Sequence, residues 1–207
     1  MSQGSNPWVS RPHVPTETLS AAPATVTGPV ATGPTAPQRG VPAPDRVDQL
    51  RTLERRSAAD LWWLGTHGGA AESTLAALVP PWQGCDHGWP QVPGAAAPAR
   101  VVLTARSHVR GLRAAQAAAT QWAAGLVPFV EVIGLVIVAD APGRLPKPLR
   151  DLAHVVGGGV PRTWTLPWNE SWRLGEPPAL ETAPREVRRL VEDLRAVIEL
   201  GATGTAN

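Results

Sequence analysis

The chain reads as an α/β domain, a three-layer and mostly parallel sheet of about four to five strands behind an N-terminal tail. Two observations carry that reading. Beyond Leu61, short runs rich in Val, Leu, Ile or Trp alternate with segments of helical periodicity, and such alternation implies crossover connections between parallel strands. The stretch 61–79, LWWLGTHGGAAESTLAALV, also sets an apolar run, a glycine turn and a helix start in direct succession.

Residues 1–44 are rich in Pro, Ala, Thr and Gly and hold few large apolar groups to offset the entropy of ordering, so they are expected to be a disordered tail. Trp8 is a lone aromatic within it, which more often has no role than marks a docking motif. In residues 45–60, Val47, Leu50 and Leu53 recur on one face while Arg46, Arg51, Arg55 and Arg56 take others, predicting a short amphipathic helix. The domain proper is expected over 61–201, with strands at 61–65, 101–105, 133–139 and 163–166. The helix after the glycine turn should end after about two turns, because Pro80 and Pro81 cannot continue it. Ser107 is the expected cap of a helix that runs to Ala124 and stops at Gly125. Another helix should follow Pro148. The last should begin near Thr182, bury Val187, Leu190, Val191, Leu194, Val197 and Ile198, and stop at Gly201, leaving 202–207 flexible.

Composition narrows the function classes. The 207 residues suit one domain of about 150 residues plus a tail. A net charge of +2 does not by itself mark a nucleic-acid binder. Lys147 is the single lysine among 19 basic residues, and with the abundant Ala, Pro and Gly this suggests a GC-rich coding genome. One cysteine, Cys85, excludes an internal disulfide and fits a reducing compartment. No apolar run reaches about 18 residues and no leader with a hydrophobic centre is present, so a cytoplasmic protein without membrane attachment is expected.

The turn Gly65, Thr66, His67, Gly68, Gly69, Ala70, Ala71, Glu72, Ser73, Thr74 has the layout of a phosphate-binding loop with its chemistry removed. In such loops backbone N–H groups and the helix N-terminus cradle phosphates, a Lys neutralises them and a hydroxyl holds Mg²⁺. Here Ala71, Glu72 and Ser73 stand where Gly, Lys and Ser or Thr belong. Two unit charges about 4 Å apart at an effective dielectric of about 20 interact by roughly 4 kcal/mol, so reversing one swings a pairing by roughly twice that. A micromolar nucleotide is held by only about 8 kcal/mol in total. A Cβ at Ala71 would also crowd a turn that needs positive φ or close approach of a phosphate. The plainer reading is an ordinary glycine turn with Glu72 in a first helical turn, where an acid favours the dipole.

Taken in order, the motifs resemble a shortened relative of the ParA/MinD class of P-loop ATPases, whose loop reads Lys-Gly-Gly-x-Gly-Lys-Ser/Thr-Ser/Thr. Residues 67–74 match it at Gly68, Gly69, Ser73 and Thr74 and depart at His67, Ala71 and Glu72. VVLTARSHVRGLRAAQ is similar to that class's VVLVT strand and following helix, GLVIVADAPG to its GVVVN strand, and RTWTLPWNESW to its IPYD strand end. The resemblance covers roughly 61–178, and the whole chain is similar to an uncharacterised actinobacterial family of such proteins. It implies a degenerate, P-loop-like domain. The class also has two strands, one with an Asp and one ending in Asp-x-Pro, that manage Mg²⁺ and the attacking water. Here that interval is ALVPPWQGCDHGWPQVPGAAAPA, a connection without evident strands that is either an excised segment or a lid. A rival alignment makes 140–143 an Asp-x-x-Gly switch, with Asp140 near Mg²⁺ and Gly143 facing a γ-phosphate.

Cys85, Asp86 and His87 with His67 or His108 have ligand chemistry but no zinc spacing, so no metal is expected. Arg106, Arg110 and Arg113 fall around a helix start, and Arg144, Lys147 and Arg150 follow the third strand; a solvated face is the simpler reading of both. Nothing resembles a Ser/His/Asp or Cys/His catalytic set. The expectation is a non-catalytic, P-loop NTPase-like binding or regulatory protein, a pseudo-ATPase acting through protein partners. Glu72 would be its built-in anion, held by backbone N–H groups and by Arg144 or Lys147. One alternative is an active or nucleotide-sensing ATPase that takes ATP and Mg²⁺ with Arg144 or Lys147 as cation. A second is a nucleic-acid-associated accessory protein of a plasmid or conjugative element.

Overall fold

Four apolar runs become adjacent strands of one parallel sheet. The computed structural model describes residues 29–204. In chain order the elements are β1 (Thr52–Glu54), β2 (Trp62–Gly65), α1 (Glu72–Leu78), β3 (Gln83–Gly84), β4 (Trp89–Gln91), β5 (Ala99–Arg106) and α2 (Val109–Ala123). Then follow β6 (Val130–Val138), α3 (Lys147–Gly157), β7 (Thr163–Leu166), α4 (Glu170–Arg173) and α5 (Arg185–Gly204). The main sheet is five-stranded and parallel throughout, in the order β3-β2-β5-β6-β7.

Alternation along the strands divides the core into two. Trp62, Leu64, Val101, Leu103, Leu135 and Ile137 face α2 and α3, where Leu112, Ala115, Ala118, Trp122 and Val156 meet them. Leu61, Trp63, Val102, Val136, Val138 and Leu166 face α1 and α5, against Leu75, Leu78, Val187, Leu190 and Leu194. The alanines of α2 let it lie close to the sheet. The register shifts by one residue between Val101 and Val102, so Ile133 is an extra residue in β6 and moves to the second face. Next to it a Cβ on Gly134 would come within 2.5 Å of the Arg162 carbonyl, which explains why no larger residue stands there.

Several local expectations are corrected. Residues 45–60 are not a helix: one 3-10 turn, Arg46–Asp48, precedes β1, which pairs in parallel with β4. Main-chain bonds from Trp89 to Arg51 and from Arg55 to Gln91 extend that pairing, and tertiary pairing overrides the weak helical pattern. The connection 80–99 is likewise not structureless, since it carries β3 at the edge of the main sheet and β4 beside β1. Trp82 and Trp89 of this connection are buried, one in each core. Ser107 does not cap α2. His108 does, its Nδ1 accepting from the Gly111 N–H at 2.9 Å, while Ser107 Oγ accepts from the Asp140 N–H at 3.0 Å. Gly201 does not stop the last helix, which continues to Gly204.

The expected tail also divides. Residues 1–28, Trp8 included, lie outside the described residues, as do 205–207. Residues 29–44 run against the domain: the Thr32 N–H donates to the Pro161 carbonyl at 2.8 Å and the Gln38 N–H to the Ala123 carbonyl at 2.8 Å. Arg162 Nε donates to the Pro29 carbonyl at 2.8 Å, and Val41 packs on the α2 side of the core. A proline-rich strap of this kind is already extended, so less entropy is lost when it docks.

Candidate functional site

The glycine turn is pinned at both ends. After β2, the Thr66 N–H and hydroxyl both donate to the Thr104 carbonyl, at 3.0 Å each, which ties the turn to β5. His67 Nε2 accepts from the Arg106 N–H at 3.0 Å while Nδ1 lies 2.8 Å from the Gly68 carbonyl, so the ring carries its proton on Nδ1. Burial, above all, pushes the His67 pKa down, which favours the neutral ring. Gly68 and Gly69 are exposed. Ala71 has φ +67°, the left-handed conformation that the missing glycine would supply. That conformation costs an L-residue roughly 1–2 kcal/mol. The Ala71 methyl does not crowd the turn; it is buried against Leu75 and the α1 side of the sheet.

Glu72 is 7% exposed and its carboxylate points away from the turn, into the edge of the sheet. Oε2 accepts from the Gly65 N–H at 2.6 Å and the His87 N–H at 3.2 Å, and Oε1 accepts from the Asp86 N–H at 2.6 Å. Asp86 and His87 have φ of +50° and +55°, an unusual left-handed pair that turns both N–H groups onto the carboxylate. Room for it exists because Gly65 and Gly84 lack side chains: a Cβ on Gly65 would come within 2.7 Å of Oε2, and one on Gly84 within 3.0 Å of Oε1. His87 Nδ1 donates to the Gly65 carbonyl at 2.8 Å and lies 3.4 Å from Oε2. The last ordinary rung between β2 and β3 is the bond from the Cys85 N–H to the Trp63 carbonyl at 2.9 Å. Beyond it, the Glu72 side chain completes the ladder that β3 is too short to continue.

The expected self-occupation is therefore corrected in its geometry. Backbone N–H groups do hold the anion, but they belong to the end of β2 and to the turn after β3. Arg144 and Lys147 take no part: Lys147 pairs with Asp151 at 2.6 Å, and Arg144 is exposed beyond β6. Ser73 is exposed and Thr74 half-buried. Arg55 braces the same turn through Asp86 at 2.9 Å and through the Cys85 carbonyl, with its guanidinium 5.6 Å from the Trp62 ring centre. Burial, then the nearby Glu72 charge, push the Cys85 thiol up, so it stays protonated and unreactive. Among the described residues no group of three His, Cys, Asp or Glu side chains converges to hold a metal ion.

On the other side of the turn lies a cavity of about 270 Å³ at the carboxyl ends of the strands. β2, the strand with α1 on one side and the β5–α2 unit on the other, marks the point where the winding reverses, the usual place of a ligand crevice in α/β sheets. His67, Gly68 and Gly69 form one wall, Arg106, His108 and Asp140 the floor, and Trp168, Asn169, Trp172 and Arg173 the far side. Arg106 is fixed by bonds from Nε to the Gly69 carbonyl at 3.0 Å and from Nη1 to the Ala139 carbonyl at 2.9 Å. Of the expected anion or switch residues only Asp140 lines this cavity. Gly143, Arg144 and Lys147 follow in the connection to α3 and do not. Arg173, Trp172 and His108 went unmarked as a group in the sequence, because their convergence depends on strand order rather than on spacing.

The model of a family described as a family of unknown function, DUF6668, matches residues 59–191. No curated protein and no solved structure matches the chain. Among the described residues no helix is long and apolar enough to cross a membrane.

Proposed function

We propose that this chain, which belongs to the DUF6668 family, is a non-catalytic binding or regulatory protein built on a P-loop-like turn and acting through partners. The observation that carries this reading is the commitment of Glu72. A phosphate loop places a lysine there, free to meet a nucleotide. In this chain the residue is a carboxylate whose oxygens are taken by three backbone N–H groups, so it serves the sheet edge rather than a ligand. Arg106, the cation beside the glycine turn, is held by two carbonyls. Asp140 is the single carboxylate lining the cavity, which offers little to a magnesium ion.

Calorimetric titration with Mg-ATP and Mg-GTP, paired with a phosphate-release assay, tests the reading. Neither nucleotide should bind tighter than about millimolar and neither should turn over. Micromolar binding with release above a no-protein control sinks it. Binding without release favours the nucleotide-sensing alternative, and the cations at the turn would then be Arg106 and Arg173 in place of Arg144 and Lys147.

A further inference from the structure

We propose that the cavity between the glycine turn and α4 is a binding site for a small phosphate-bearing ligand, inorganic phosphate or a phosphomonoester. Two arginine side chains, Arg106 and Arg173, line it, with Asp140 as the one carboxylate beside them. Arg173 is exposed and its side chain makes no hydrogen bond or ion pair among the described residues. Arg106 spends Nε and Nη1 on carbonyls and leaves Nη2 uncommitted. Burial works first against the Arg106 charge, Asp140 supports it and Arg173 opposes it, so a further anion in the cavity would favour both guanidiniums. Planar forks of this kind match phosphate oxygens.

The neutral groups point the same way. His108 Nδ1 accepts the Gly111 N–H, which leaves Nε2 as the donor nitrogen, with no hydrogen-bond partner among the described residues. Gly68 and Gly69 present bare backbone, with nothing within 4 Å of where a Cβ would sit. Asp140 opposes: two guanidiniums against one carboxylate leave the wall singly positive. That balance suits an anion of one or two charges and leaves most of a triphosphate's charge unmatched. Size agrees, because 270 Å³ lies below the roughly 300–1,000 Å³ of pockets that hold drug-sized ligands. Trp172 on the far side offers an apolar face to the organic part of an ester.

The proposal deepens the binding-protein reading and rests on it only in taking the cavity as a place of binding rather than turnover. Its test is calorimetric titration of the full chain with sodium phosphate and with ribose 5-phosphate at low ionic strength, for wild type, Arg173→Gln and Arg173→Lys. Binding at about millimolar or tighter is expected. Arg173→Gln should weaken it about tenfold or more, and Arg173→Lys less, while thermal melts of all three coincide. Tighter binding of ribose 5-phosphate assigns the site to monoesters, and equal or tighter binding of phosphate assigns it to the free ion. If neither ligand saturates the protein in the millimolar range, or if Arg173→Gln binds like wild type, the proposal is overturned. ATP turnover in a chain whose phosphate affinity still depends on Arg173 would sink the non-catalytic reading alone and leave this site standing.

Discussion

Glu72 concentrates the chemistry of the chain in one side chain. A carboxylate removed from water is costly unless its oxygens are satisfied, and hydrogen bonds to a charged group contribute roughly 1.5–3 kcal/mol each. Three such bonds, from Gly65, Asp86 and His87, join residues on both sides of the β2–β3 edge. Replacing the residue by the lysine of a working phosphate loop would set an ammonium, which has no acceptor, against three N–H donors. Glu72→Lys is therefore expected to destabilise the protein by about 3 kcal/mol or more in urea denaturation, with Glu72→Gln intermediate. A loss under half a kcal/mol, as for a surface change, would show the carboxylate to be idle. That an acid occupies the first turn of α1 was legible from the sequence. Its donors were not, because Asp86 and His87 reach it only through a left-handed turn that no local pattern announces.

At the scale of elements, strands β2, β5, β6 and β7 and helix α5 lie close to where their apolar runs and stripe place them, and α1, α2 and α3 close to where glycine and proline punctuation does. β1, β3 and β4 are two or three residues long, too short for any period to show, and β4 even contains Pro90. What holds β4 is Trp89, which is fully buried and whose indole N–H donates to Gln121 Oε1 at 2.9 Å. Gln121 also takes the Leu50 N–H at 2.9 Å and gives its amide to the Leu50 carbonyl at 3.0 Å. One side chain of α2 thus fastens both partners of the small sheet. Trp89→Ala should cost about 3–5 kcal/mol by chemical denaturation, the range for removing a large buried aromatic. A cost below about 1 kcal/mol would mean that the segment 80–99 is a loose connector despite its strands.

Across the whole molecule, the strap 29–44 crosses to α2 and to the start of β7, so its ends brace elements far apart in the chain. Each such hydrogen bond contributes roughly 0.5–1.5 kcal/mol, and Val41 adds apolar contact. Deleting residues 1–44 should lower the melting temperature by about 4–8 °C, as a loss of about 2 kcal/mol does in a domain of this size. An unchanged melt in differential scanning calorimetry would return the strap to the status of a tail.

By itself the sequence determined the α/β class, a mostly parallel sheet, the four apolar strand runs near 61–65, 101–105, 133–139 and 163–166, and the glycine turn after the first of them. These follow from local periodicity and turn chemistry, which are written in neighbouring residues. Only the tertiary structure decided that Glu72 faces the sheet edge instead of the cavity. It also decided that His67, Arg106, Asp140 and Arg173 line one crevice. His67, Arg106 and Asp140 come from the ends of three different strands and Arg173 from α4, which follows β7, and strand order, set by global packing of both faces, is what brings them together.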